Sequence, residues 1–230
     1  MMHKNILQEI QAIFKAKWTT RDGQKVPDTD DIALANDGVK LEGTVLYADM
    51  ADSTLLVNGY KDWFAAEVYK TYLIGACRAI RARGGEITAF DGDRVMAVFI
   101  GDSKNTSAVK AALTINYVVR ETNRLLKQEY PNSTYQLRQT VGVDTSNLFI
   151  VRTGIRNAND LVWIGRAANH AAKLCSLSDA RYPTYITEAV YNKLSQEAKY
   201  GGEPRTNMWE KRIWTELGVP VYRSNWYWKI

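Results

Sequence analysis

The sequence predicts an α+β fold in which helices pack on a mostly antiparallel sheet. Three observations carry this expectation. Short β-branched and apolar runs occur in pairs, around Asp91-Gly92 and again between Gln136 and Arg152. Two long stretches, 55–82 and 104–129, repeat apolar residues at helical spacing. The resulting order is strand, helix, hairpin, helix, hairpin, helix, strand, helix, hairpin. It returns the chain through helices between antiparallel pairs, as in an α+β sandwich.

Taken in order, residues 1–17 place Ile6, Ile10, Ile13 and Phe14 on one helical face. Residues 19–40 are rich in Asp, Gly and Asn and read as a loop or linker. The chain therefore divides into an N-terminal helix with linker, 1–40, and a main domain, 41–230, with a dimer contact as one role for the helix. Gly43 to Asp49 is a buried strand closed by an acid. A long helix over 55–82 ends at Gly84-Gly85. Glu86–Phe90 and Arg94–Phe99 are short strands joined through Asp-Gly, a strong hairpin signal. The helix over 104–129 stops at Pro131-Asn132-Ser133. Gln136–Asp144 and Asn147–Arg152 form a further strand pair, then a polar loop over 154–160 leads to Leu161–Ile164 and a helix through Leu174. A strand at Tyr185-Ile186, a helix over 188–198 and a hairpin from Ile213 complete the chain, with Trp226, Tyr227 and Trp228 as an aromatic tail that packs on the core or on a partner.

Composition bounds the function. A chain of 230 residues with 46% hydrophobic content can bury a full core. No apolar run approaches the roughly 20 residues of a membrane span, and the N-terminus lacks a signal-peptide core, so a cytoplasmic protein is expected. Two cysteines, Cys77 and Cys175, cannot build a disulfide framework or a zinc cluster, and Cys77 reads as a buried free thiol. The net charge of +5 suits a polyanionic ligand. Its cations are dispersed, which argues against a stable nucleic-acid complex.

Two acids stand out. Asp49 closes the strand Leu46-Tyr-Ala-Asp, and Asp93 lies in the Asp-Gly-Asp-Arg turn between the next two strands. Neighbouring strands can aim both at one spot, with Tyr47 on the same strand face as Asp49. Two adjacent carboxylates repel unless a cation lies between them, and a site with few carboxylates suits Mg²⁺ or Mn²⁺ bridging to phosphates. Ser53 and Thr54 follow at a helix start, where free backbone N–H groups hold phosphates.

Three segments together resemble the catalytic domain of the class III nucleotidyl cyclases over about residues 42–223. They are the apolar strand with Ala-Asp-Met-Ala-Asp-Ser-Thr at 46–54, Gly92-Asp93 followed by Arg-Val-Met-Ala-Val-Phe, and Gly165-Arg-Ala-Ala-Asn-His-Ala-Ala-Lys-Leu174. The resemblance implies a ferredoxin-like sandwich and a head-to-tail homodimer with active sites at the interface. One protomer would supply Asp49, the Met50 carbonyl and Asp93 to two Mn²⁺ or Mg²⁺ ions. The other would supply Asn169 to orient the ribose and Lys173 to stabilise charge on the α-phosphate. The implied reaction is attack of the ribose 3′-oxygen on the α-phosphorus with release of pyrophosphate. Arg156 and, more weakly, Lys211 are candidates for gripping the terminal phosphates, or else solvated surface charges. His170, one position beyond Asn169, faces elsewhere.

This chain departs from the family pattern at Lys173, where Arg is usual, and at the purine-reading positions, here Ala89 and Val162. Neither side chain can hydrogen-bond a base. Tyr47 is large enough to narrow the pocket toward a pyrimidine, and Arg94 offers donors; otherwise the two are a core aromatic and a surface residue. The pattern resembles the bacterial pyrimidine cyclases of Pycsar anti-phage defence. That resemblance implies UTP, or secondarily CTP, as substrate, with the cyclic nucleotide a second messenger for a separate effector. A purine cyclase with an atypical pocket and a silent nucleotide-binding dimer are the alternatives.

Overall fold

A computed structural model describes residues 2–177 and 179–230. Its helices are α1 (Met2–Lys15), α2 (Ser53–Gly59), α3 (Asp62–Arg81), α4 (Lys104–Glu129), α5 (Arg166–Leu174), α6 (Glu188–Asn192) and α7 (Gln196–Lys199). Its strands are β1 (Thr19–Asp22), β2 (Asp37–Met50), β3 (Glu86–Asp91), β4 (Arg94–Phe99), β5 (Gln139–Ile155), β6 (Ala158–Ile164), β7 (Thr184–Thr187), β8 (Tyr200–Gly201), β9 (Thr206–Asn207), β10 (Glu210–Trp214) and β11 (Val219–Ser224).

The main sheet has the order β10-β11-β7-β5-β2-β4-β3, with β1 beside β2 and β6 beside β5. Its pairs are antiparallel except β1–β2 and β5–β7. Period-two alternation along β2 separates two layers. Leu46, Ala48 and Met50 join the larger core with α3 and α4, through residues such as Phe64, Tyr72 and Leu113. Val39, Leu41 and Val45 face the other way, onto a smaller core closed by Ala167, Ala168 and Ala171 of α5. The expected α+β sandwich is thus present, with α5 covering part of one face.

Several elements differ from the sequence expectation. The stretch 19–40 is not simply loop: β1 occupies Thr19–Asp22, and β2 already begins at Asp37. Polar composition hid β1 because all four of its residues are exposed on the sheet edge. The helix expected over 55–82 is two helices, broken where Tyr60 turns extended after Asn58-Gly59. Tyr60 there packs on Phe64 and Tyr135, with ring centroids 5.1 and 5.4 Å away. Residues 136–152 form no separate strand pair but one strand, β5, laddered along β2. The expected pair divides at Thr145-Ser146, and Thr145 is polar. It is nevertheless buried, accepting from the Thr44 hydroxyl at 3.1 Å and donating to the Gly43 carbonyl at 3.3 Å. The hairpin after β5 turns at Arg156-Asn157, where Asn157 takes φ 68°. The expected helix over 188–198 is the short pair α6 and α7.

The aromatic tail packs on its own chain. Buried Asn116 on α4 donates to the Trp226 carbonyl at 2.8 Å, and the Trp228 N–H donates to the Leu113 carbonyl at 2.9 Å. Cys77 is only half-buried; the fully buried free thiol is Cys175. None of the described helices is long and apolar enough to cross a membrane.

Candidate active site

The last residues of β2 place Tyr47 and Asp49 on the sheet face that carries α5. Directly across the ladder, Asp49 pairs with Arg94 and Tyr47 with Met96 of β4. The β3–β4 hairpin closes with Asp91 opposite Arg94, so its two loop residues are Gly92 and Asp93. Gly92 takes φ 61°, as the primed turns of two-residue hairpins require. The turn therefore carries Asp93 to the end of β4, beside the residue that faces Asp49.

Both carboxylates are half-buried. Burial pushes the Asp49 carboxyl above its ordinary range, the neighbouring Asp93 carboxylate raises it further, and the Arg94 guanidinium acts against both. Anionic crowding of this kind is what a bound cation relieves. Hard oxygen donors of this type suit Mg²⁺ or Mn²⁺, with open positions left for phosphate and water. Among the described residues no group of three or more His, Cys, Asp or Glu side chains gathers to hold a metal. The residues fit a cation shared with substrate phosphates better than a closed structural site.

Arg94 links the acids to Tyr47. It bonds Asp91 at 2.5 Å, and its guanidinium carbon stands 5.6 Å from the Tyr47 ring centre. Its Nε is buried with no hydrogen-bond partner among the described residues. Ala89 packs nearby against the smaller core, opposite Met96.

Beyond Met50 the chain turns sharply into α2. Asp52 takes a left-handed φ of 59°, and its carbonyl accepts from Leu55 at 3.0 Å and Leu56 at 3.2 Å. The N–H groups of Ser53 and Thr54 thus stand ahead of the first intrahelical bond. Arg138 lies alongside: its carbonyl accepts from Ala51 at 2.9 Å and its guanidinium pairs with the Asp52 carboxylate. Sequence reasoning missed Arg138, because only the β2–β5 register brings position 138 beside position 51. A cavity of about 650 Å³ opens past this pair toward Asn116, Arg120 and Tyr227. Asp49 and Asp93 do not line it; Asp49 lies on the sheet face that carries α5, and Asp93 in the β3–β4 turn.

On α5, Asn169 is exposed with no side-chain hydrogen bond among the described residues. Lys173, also exposed, pairs with Glu216 at 2.7 Å. Neither bonds to Asp49 or Asp93 within one chain. As expected, His170 points away from Asn169: it lies edge-on to Trp214 at 5.4 Å, with Nδ1 3.4 Å from Asp144.

The remaining predicted residues are not brought to the acids within one chain. Val162 on β6 pairs with Val151, and Arg156 sits at the hairpin tip, at the far end of β5 from Thr140, the residue opposite Asp49. From Thr140 to Arg156 is roughly 50 Å of strand. Lys211 on β10 is four strands from β2, about 19 Å. It is already engaged by Glu188 at 2.9 Å and by the Tyr222 ring.

No protein-family model matches the chain. A uridylate cyclase of Xanthomonas perforans is 50% identical over 221 residues, covering 95% of this chain and 94% of its own. A uridylate cyclase of Burkholderia cepacia is 47% identical over 219 residues, 94% of each chain. One from a Rhodovulum species is 38% identical over 234 residues, 99% of this chain and 97% of its own. Among solved structures, a bacterial light-regulated adenylyl cyclase superposes with a TM-score of 0.69 at 21% identity, covering 81% of this chain and 91% of that one. An adenylyl cyclase from P. aeruginosa does so with a TM-score of 0.64 at 22% identity, over 81% and 95%. These structures share the sheet and its helices, while the full-length sequence identities define the closer kinship. The chain belongs to the uridylate cyclase family, built on the class III nucleotidyl cyclase fold.

Proposed function

We propose that the protein converts UTP to 3′,5′-cyclic UMP and pyrophosphate at two equivalent sites, each shared between the protomers of a head-to-tail homodimer. The observation that carries this reading is the split of the site. The acids Asp49 and Asp93 lie half-buried at the end of the β2–β4 ladder, while Asn169 and Lys173 stand exposed on α5 without bonding to them. A second copy supplies what each half lacks.

Asp49, Asp93 and the Met50 carbonyl would hold two Mg²⁺ or Mn²⁺ ions, which supply charge neutralisation at the triphosphate and ease ionisation of the ribose 3′-hydroxyl. The partner's α5 presents Asn169 to the ribose, aligning the 3′-oxygen for in-line approach to the α-phosphorus. The new O3′–P bond forms as the bond to the bridging oxygen breaks, and the hydroxyl proton passes to solvent. Lys173 faces the charge that grows on the α-phosphate. Its pair with Glu216 leaves both side chains about half exposed. Such pairs are worth only ~0–1 kcal/mol, so substrate can take the ammonium over. Ser53, Thr54 and Arg138 line the path of the β- and γ-phosphates. Arg156 reaches them only from a partner chain, and Lys211 only by leaving Glu188.

Base choice follows from donors and space. Tyr47 narrows the pocket, and Ala89 and Val162 offer no side-chain hydrogen bond. The Arg94 guanidinium is only partly buried, and among the described residues its one hydrogen bond is to Asp91. Guanidinium only donates, so it matches the O4 acceptor of uracil and not the N4 amino group of cytosine. The relatives' names support the same base. By the family resemblance, cyclic UMP acts in the cytoplasm as an antiviral second messenger for a separate effector.

Mixing variants tests the shared site. Asp49→Ala and Lys173→Ala are each expected to be inactive, and an equimolar mixture to regain activity through mixed dimers with one intact site. A mixture as silent as its components would overturn the arrangement. Competition among equimolar ATP, GTP, CTP and UTP tests the base: UTP disappears first, whereas preferential loss of a purine would overturn the pocket assignment.

A further inference from the structure

Helix α5 is seated on one face of β5 by three residues spaced two apart, Gly142, Asp144 and Ser146. At Gly142 the helix backbone comes so close that a Cβ would stand 2.1 Å from the Ala171 carbonyl oxygen. At Ser146 the hydroxyl accepts from the Ala167 N–H at 3.0 Å, holding the first turn. Between them lies Asp144, fully buried on the central strand. Its Oδ2 takes the Arg166 Nε at 3.1 Å and lies 3.4 Å from His170 Nδ1. Its Oδ1 accepts from the Thr187 hydroxyl at 2.5 Å. Arg166 also donates to the Thr145 carbonyl at 2.8 Å.

Gly142 and Ser146 fix the height of the helix above the strand. Asp144 fixes its rotation, because Arg166 and His170 are one turn apart on a single side of α5. Asn169 and Lys173, one turn apart on the adjoining side, are thereby aimed outward. A buried acid is costly in a sheet interior unless it is paired, and here, besides the Thr187 hydroxyl, its partners are two side chains of the helix.

We propose that Asp144 is a positioning residue for the partner's active site: through Arg166 and His170 it sets the rotation of α5 that presents Asn169 and Lys173 across the dimer interface. This rests on the shared-site reading above. Asp144 touches neither substrate nor the reacting atoms, and its effect is exerted on the site its own α5 completes, not on the site its own β2 builds.

The test uses the full chain and mixed dimers. Asp144→Asn keeps the shape and removes the charge. It is expected to lower kcat about 10²-fold, as small misplacements of catalytic groups do, with KM little changed. Mixed with Asp49→Ala, activity should return to roughly a quarter of wild type, since half the dimers are mixed and each then holds one intact site of two. Mixed with Lys173→Ala, it should stay low, because both defects fall on the α5 side. Arg166→Gln breaks the bridge from its solvent side and should repeat the pattern if Asp144→Asn folds poorly. Wild-type kcat in both variants, or rescue by Lys173→Ala, would overturn the assignment. So would failure of Asp49→Ala to rescue while the Asp49→Ala and Lys173→Ala mixture is active. If that control mixture is itself silent, the shared site falls, and the positioning role with it.

Discussion

The guanidinium of Arg94 stands 5.6 Å from the centre of the Tyr47 ring, on adjacent strands and one step from Asp93. In the proposed site, the pair joins the acids that would hold the metals to the wall of the base pocket. Arg94→Ala should therefore lower kcat/KM for UTP by about 10²-fold, the scale of a lost charge-assisted hydrogen bond. Tyr47→Ala should instead relax the choice of base, raising purine turnover relative to UTP. Steady-state assays with all four triphosphates read both effects.

The acids oppose each other before any cation arrives. Burial, then Asp93, raise the Asp49 pKa above its ordinary value. A carboxyl with a raised folded-state pKa favours the fold at low pH and costs stability as pH rises through the interval between its unfolded and folded values. At neutral pH, Asp49→Asn should accordingly abolish activity yet raise Tm in the absence of metal. Mn²⁺ should raise the Tm of the wild type and leave that of Asp49→Asn nearly unchanged. Thermal scans with Mn²⁺ and with EDTA check both.

Cys175 is buried, and its thiol donates toward the Tyr47 carbonyl at 3.4 Å. Burial pushes its pKa up to about 12, with Asp49 adding to the effect. The thiolate is the reactive form, so iodoacetamide at pH 8 should spare Cys175 in the folded protein. Half-buried Cys77 should label first. Both should label in urea, which mass spectrometry of the modified peptides would register.

Gly142 leaves no room for a methyl group against α5. Gly142→Ala should destabilise the fold by about 1–3 kcal/mol, as overpacked cores do. It should also cost more activity than its stability loss explains, because α5 carries Asn169 and Lys173. Urea midpoints and specific activity at saturating UTP separate the two effects.

The legible parts of this molecule were those written locally. Asp-Gly between apolar runs announced the hairpin that carries Asp93, and apolar alternation ending in an acid announced the end of β2. The long amphipathic pattern of α4 was equally plain, because propensity and packing agree along it. What stayed hidden depends on pairing between distant segments. The length of β5 comes from its ladder with β2, which runs unbroken through Thr145 and Ser146, between the two strands expected from sequence. Arg138 meets Asp52, and Lys173 meets Glu216, only through tertiary contact. Asp144 reads in sequence as one more acid near a turn, and only its burial under α5 gives it significance.

The central claim is intramolecular cyclisation of a pyrimidine nucleotide, and one measurement reaches it directly. The purified protein is incubated with Mn²⁺ and UTP alone, and the products are identified by chromatography and mass spectrometry. Cyclic UMP and pyrophosphate are expected in equal amounts, and neither with Asp49→Ala. Accumulation of UDP, UMP or linear oligonucleotide, or no turnover of UTP under conditions where ATP or GTP is cyclised, would contradict the account.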